Sequence, residues 1–112
     1  MQILDVATGP GRPIGRFGSV GSHHVGGVRF TGGGGVAFLS LEAGGHLGRH
    51  PTVLAQLFCV VSGDGWVAGA DGERQEIAAG QAAFWEPGEE HESGSAGGMQ
   101  VVVLEAAAID LG

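Results

Sequence analysis

Short apolar runs separated by glycine-rich turns fill most of the chain. The runs VAFLSL (36–41), LFCVV (57–61) and MQVVVL (99–104) each have the length of one strand, and shorter strands are predicted at 66–68, 74–78 and 82–85. The segments SGDG (62–65) and GADGE (69–73) are typical of hairpin turns, because Asp-Gly tolerates a positive φ. No window has a sustained helical period. The pattern therefore predicts an all-β sandwich or barrel.

The length of the chain sets the domain organisation. A chain of 112 residues can bury one hydrophobic core and is too short for two. Residues 1–34 are irregular, with extended pieces only near 2–4 and 25–30, whereas 35–106 hold the regular strands. Residues 107–112 form a C-terminal tail in this interpretation, and EAAAIDLG (105–112) could favour a short helical turn. We predict a single domain over 1–112.

The charge of the chain excludes two classes of partner. Its net charge is −7, and its five basic residues, all arginine, are scattered. Nucleic acid and anionic membrane surfaces both require clustered positive charge, so we expect neither as a partner. The single Cys59 lies within an apolar run, which predicts a buried, inert thiol in a reducing compartment. No apolar stretch approaches the length of a membrane span, so we predict a cytoplasmic protein.

Two segments carry the candidate chemistry, GGHLGRHPTVLAQLFCVVSG (44–63) and GQAAFWEPGEEHESGS (80–95). In the first, Gly44 stands six residues before His50, and Gln56 stands seven before Gly63. In the second, Gly80, Gly88 and His91 have the matching spacing around a Pro-Gly turn. These spacings resemble the two sequence motifs of the cupin family. The resemblance implies a double-stranded β-helix, a jelly-roll barrel, which often pairs through edge strands, so a homodimer is expected.

The chain departs from the family pattern at several motif positions. Thr52 stands where the family has a second His, Gln56 where it has Glu, Glu86 where it has Pro, and Ser95 where it has Asn. The resemblance implies a mononuclear site for Fe, Mn, Zn or Ni built from three His and one Glu. Here the matching ligands are His50, Gln56 and His91, with Thr52 and His46 as additional candidates. Replacing Glu by Gln removes a Coulomb attraction of about 4 kcal/mol at an effective dielectric near 20, so we expect one loosely bound divalent ion or none.

The alternation of a strand supports the same site without reference to the family. Residues of equal parity share one face, so His50, Thr52, Gln56 and Phe58 are predicted to be co-facial. His91 follows a turn that brings it across from them. Phe58 is the predicted wall of a pocket and Trp85 its rim. The predicted ligand-binding residues are His50, Gln56, Phe58, Trp85 and His91.

The acidic residues near the second motif have two interpretations, and two further histidines lie in the N-terminal segment. Glu86, Glu89, Glu90 and Glu92 surround His91 in the sequence. They form a solvated acidic loop, or else Glu90 or Glu92 orients the imidazole. His23 and His24 are adjacent, so in an extended segment they face opposite ways and cannot serve one site.

Three functions are compatible with this sequence. The first is a barrel that binds a small organic molecule through His50, Gln56 and His91. The second is a metal-dependent enzyme of the dioxygenase or isomerase type, with the same three residues as ligands and Thr52 holding a water. The third is a non-catalytic dimeric protein with a structural or regulatory role. The absence of a carboxylate at position 56 favours the first function over the second, because an enzyme that holds a divalent ion gains from an anionic ligand.

Overall fold

The computed structural model covers residues 1–112 and consists almost entirely of β-strands. The strands are β1 (Gln2–Asp5), β2 (Arg12–Pro13), β3 (His23–His24), β4 (Arg29–Leu41), β5 (Gly45–Pro51), β6 (Ala55–Ala68), β7 (Arg74–Ala78), β8 (Gln81–Trp85), β9 (Glu90–Ser95) and β10 (Met99–Asp110). A single 3₁₀ turn (Arg16–Gly18) is the only helical element. The predicted all-β class is confirmed.

The strands form one antiparallel sheet that is bent into two halves. The first half has the order β1-β8-β6-β10-β4, and in the second β5 pairs with β9 while β6 pairs with both β9 and β7. Strand β6 belongs to both halves, because residues 56–59 pair with β8 and residues 64–68 pair with β7. The hairpin of β2 and β3 stands apart from this sheet. Strands that pass from one sheet to another at a bend are a standard way of turning the corner of a sandwich.

The structure corrects three expected boundaries. The segment SGDG is not a turn: β6 runs through it with an irregular register against β10, and Gly63 has a φ of 78°. Strand β10 continues to Asp110, where a tail or helical turn is predicted, because its last residues pair with the start of β4. Strand β4 begins at Arg29, inside the segment predicted to be irregular. In the last two cases strand pairing outweighs local propensity.

The hydrophobic residues divide between the two faces of the first half-sheet. The larger cluster lies between the half-sheets and contains Leu41, Phe58, Val60, Val67, Ile77, Ala83, Trp85, Met99, Val101 and Val103. The smaller cluster lies on the outer face, where Leu57 and Phe84 are covered by residues of the N-terminal arm and the C-terminal end. On β6 the even-numbered residues 56, 58 and 60 therefore face inward. This parity places the candidate site in the interior.

The outer surface carries two further features of the sequence analysis. Strand β4 is the longer of the two edge strands of the first half-sheet, β1 being the other, and it exposes Val36 and Phe38. It is therefore a candidate for the edge pairing of the predicted homodimer, which stays a prediction. Cys59 is half-buried and unpaired, and burial raises the pKa of its thiol. No helix has the length and apolar character needed to cross a membrane.

Candidate functional site

His50 and His91 meet across the β5–β9 pair. Their Cα atoms are partners in the register, and their Nε2 atoms are 3.1 Å apart. The Nδ1–H of His50 donates to the carbonyl oxygen of Gly48 at 2.6 Å, which leaves the Nε2 of His50 as an acceptor for the Nε2–H of His91. The predicted convergence of these two imidazoles is therefore present, although they are 41 residues apart in the chain.

His91 is held in a buried position by aromatic packing. Its side chain is 6% exposed, and its ring lies edge-on to Trp85 with centroids 4.4 Å apart. Burial, and next the proximity of His50, lower the pKa of His91 to about 4, against raising effects of Glu105 and Glu89. At neutral pH the His91 imidazole is therefore uncharged and its ring nitrogens act as one donor and one acceptor.

Gln56 is tied to a carboxylate that the sequence analysis did not identify. The amide nitrogen of Gln56 donates to Oε1 of Glu105 at 2.7 Å, and the two residues are register partners on β6 and β10. A signal for Glu105 was present in the sequence, since it has the same parity as Val101 and Val103, which point into the core. The acid absent from position 56 thus has a counterpart on the neighbouring strand.

These groups line one pocket of about 230 Å³ between the half-sheets. Its polar lining consists of His50, Gln56, His91, Glu92, Ser93 and Glu105, and its apolar lining of Ala37, Leu39, Leu47, Phe58 and Val103. Phe58 thus lies in the wall of the pocket, as predicted. A part-apolar cavity with a few convergent polar groups is the usual form of a small-molecule site.

Trp85 has a different position from the predicted rim. Its side chain is fully buried and is absent from the pocket lining, and it packs edge-on against Phe58 as well as His91. The reason is its place on the inward face of β8, where the ring lies behind the pocket residues Phe58 and His91. Its Nε1 is the one buried side-chain polar atom without a hydrogen-bond partner.

His46 and Thr52, the two additional metal-ligand candidates, do not reach the imidazole pair. A register irregularity between Leu47 and His50 reverses the parity, so that Leu47 lines the pocket and His46 bonds to Glu92 and faces Trp66 outside it. Thr52 lies in the turn after β5, where its hydroxyl donates to the carbonyl oxygen of Glu86 and accepts from the amide of Gly88. These two hydrogen bonds hold the Pro-Gly turn against the residue that follows β5. No three His, Cys, Asp or Glu side chains are grouped so as to hold a metal ion.

The acidic residues around His91 have other partners. Glu90 bonds to Arg49, Glu92 to His46, and Glu89 to the N-terminal amine and two backbone amides. Neither Glu90 nor Glu92 is hydrogen-bonded to His91, so the orienting role considered for them is not seen. His23 and His24 lie exposed on β3 in the separate hairpin.

Comparisons with known proteins agree with this architecture. The family model described as a cupin domain matches residues 37–106. A cupin described as RmlC-like, from Shewanella frigidimarina, is similar with a TM-score of 0.58 at 20% identity, over 65% of this chain and 67% of that one. A predicted oxalate decarboxylase from Thermotoga maritima is similar with a TM-score of 0.57 at 23% identity, over 68% of this chain and 64% of that one.

A third similar structure is a much longer protein. Salicylate 1,2-dioxygenase from Pseudoaminobacter salicylatoxidans, solved as adducts with gentisate, has a TM-score of 0.60 at 19% identity, over 64% of this chain and 19% of that one. No curated protein matches the chain. At these identities the similar structures establish the fold alone, whereas the family model covers more than half of the chain and both motif segments. The chain belongs to the cupin family.

Proposed function

We propose that this cupin domain binds a small organic molecule in the pocket lined by His50, Gln56, His91 and Phe58. The observation that carries the proposal is the convergence of two imidazoles and an amide on one part-apolar cavity of about 230 Å³. The cavity has room for a ligand of a few to about a dozen non-hydrogen atoms and offers both donors and acceptors. The buried polar groups would fix the orientation of the ligand and the apolar wall would cover its body.

Gln56 is the residue whose removal tests this proposal most directly. Its amide nitrogen is engaged by Glu105, which fixes the amide and leaves its oxygen as an acceptor. We expect Gln56→Leu to weaken the binding of any ligand found in a fragment panel about tenfold, the loss of about 1.4 kcal/mol that one hydrogen bond represents. Dissociation constants from ligand-observed NMR, with thermal unfolding as a check of the fold, measure this.

The matched control is Gln100→Leu, which changes an exposed glutamine on the same strand pair that bonds only to Ser40. It should leave the ligand affinities unchanged. Fragments that bind equally well to wild type and to Gln56→Leu would contradict the assignment of the site, and so would a panel without a single fragment bound.

A mononuclear metal ion is the second candidate, and one distance favours it. Two nitrogen ligands about 2.1 Å from a common ion lie about 3.0–3.4 Å apart, for angles between octahedral and tetrahedral. The Nε2 atoms of His50 and His91 are 3.1 Å apart, and the Nδ1 of His50 bonds to a backbone carbonyl, which is the usual outer partner of a metal-binding histidine. Beside these two imidazoles the only residue at a family ligand position that lines the pocket is the neutral Gln56, so the donor set fits a weakly held ion.

We expect the protein, purified without an affinity metal column, to contain well under one equivalent of Fe, Mn, Zn or Ni by elemental analysis. Titration with Zn(II) or Mn(II) should then give a site that His91→Ala abolishes, because it removes one of two nitrogen donors. His46→Ala is the matched control, since His46 lies outside the pocket. One full equivalent of tightly bound metal after purification would make the metal centre the primary function in place of the organic-ligand site.

A further inference from the structure

The pocket is lined by two acidic side chains and by no arginine. Glu92 and Glu105 are among its lining residues, whereas none of the five arginines is. Arg49 bonds to Glu90 and to two carbonyl oxygens, and Arg74 stacks on Trp66 at 3.7 Å on the outer surface. The protein thus offers no fixed positive charge to an anion in this cavity, and the net charge of −7 adds to the repulsion.

Of the two carboxylates, Glu105 is the one held beside the candidate ligand groups, because its partner Gln56 lines the pocket. Glu92 bonds instead to His46 at 2.7 Å, and His46 lies outside the pocket. Glu105 accepts one bond, from the Gln56 amide to its Oε1, and no other side chain bonds to it. A carboxylate has about four acceptor positions, so Oε2 and part of Oε1 stay free.

The glycine residues of β4 leave the Glu105 carboxylate uncovered. The register partner of Glu105 on β4 is Gly35, which has no side chain to cover it, and a Cβ at this position would meet nothing within 4 Å. The Glu105 side chain is accordingly exposed although its backbone lies in the central pair of β6 and β10. The TGGGG segment (31–35) thus ends in a residue that places no side chain beside Glu105.

We infer that the pocket is selective for a small organic cation, whose ammonium group pairs with Glu105 and whose apolar part packs against Phe58, Leu39 and Val103. The inference rests on the proposed function and specifies its ligand class. An ammonium group matches this part of the pocket because it has donors only, whereas the Glu105 carboxylate and the Gln56 amide oxygen are acceptors without a side-chain donor of their own to offer. A carboxylate ligand would face Glu105 without a compensating charge.

Three probes of one shape and different charge test the inference: benzylamine, benzyl alcohol and benzoate. We expect benzylamine to bind wild type about two- to fivefold more tightly than benzyl alcohol, the gain of an exposed ion pair, and benzoate to bind most weakly. In Glu105→Gln the preference for the amine should disappear while the affinity for benzyl alcohol stays the same. Raising NaCl to 0.5 M should reduce the amine preference in wild type, because an exposed pair is screened.

The control is Glu73→Gln, which removes one negative charge from an exposed turn outside the pocket. It should leave the ratio of amine to alcohol affinity as in wild type, and thermal unfolding should show that both variants are folded. Equal binding of the three probes, or an amine preference that persists in Glu105→Gln, would overturn the inference and leave the proposed function standing. Binding of none of the three would count against the proposed function itself.

Discussion

Trp85→Ala is expected to lower the free energy of unfolding by about 3–5 kcal/mol. The Trp85 ring is fully buried on β8, a strand paired on both sides, and fills the space between Phe58 and His91. Alanine would leave a cavity that neighbouring strands cannot close, because their backbones are fixed by pairing on both sides of β8. Urea denaturation followed by circular dichroism measures the loss. The variant should also lose ligand binding, since the ring that positions the His91 imidazole is gone.

The other tryptophan provides the control for this prediction. Trp66 lies half-buried on the outer face, over Gly94 and beneath the Arg74 guanidinium. Trp66→Ala should cost less than half as much and leave the pocket intact, since a half-exposed ring loses less contact and surface burial. Similar losses in both variants would mean that Trp85 is not the support of the pocket that its position indicates.

The overall architecture could be predicted because its signals are local. Alternation on β6 and β10 marked the inward residues, and turn residues separated the strands. The motif glycines 44, 63, 80 and 88 all have a positive φ in the structure, which explains why glycine stands at these spacings. The length of β4 and β10 could not be predicted in the same way, because the start of β4 pairs with the end of β10 across about 80 residues of sequence.

The site was predicted in part, and each error of the prediction has a specific structural cause. Parity placed His46 with His50, but one irregularity in β5 reverses the face of every residue before it. Thr52 was assigned to the strand face, whereas the chain turns there so that its hydroxyl can bond to the backbone of the Pro-Gly turn. Such bulges and side-chain-to-backbone hydrogen bonds depend on the partner strand, so no periodic pattern of residue types in the sequence marks them.

Glu105 was missed for a different reason. The family pattern directs attention to position 56 for an acid, and Gln56 was taken as the loss of that charge. A residue on the adjacent strand with the right parity can restore a carboxylate to the same region, and it bonds to the substituted residue itself. The charge of this pocket therefore depends on the inward-facing residues of β10 as well as on the motif positions.

Gly63→Ala is expected to destabilise the protein by about 2–5 kcal/mol, through two effects at one position. Gly63 has a φ of 78°, which costs an L-residue about 1–2 kcal/mol, and its added Cβ would collide with the carbonyl oxygen of Gly98. The position is where β6 passes from pairing with β8 to pairing with β7, so the backbone cannot shift without disturbing both half-sheets. Chemical denaturation measures the loss.

Substitutions at two further glycines separate the conformational cost of a positive φ from the steric cost of the contact with Gly98. Gly88 has a φ of 80° and open space around its Cβ position, so Gly88→Ala should cost the conformational part alone, about 1–2 kcal/mol. Gly97 has neither a positive φ nor a neighbour within 4 Å, so Gly97→Ala should be neutral within about 0.5 kcal/mol. If Gly63→Ala lost no more stability than Gly88→Ala, the contact with Gly98 would not constrain the backbone of β6 at this position. A larger loss would identify that close approach of β6 to the residue before β10 as a reason that glycine stands at position 63.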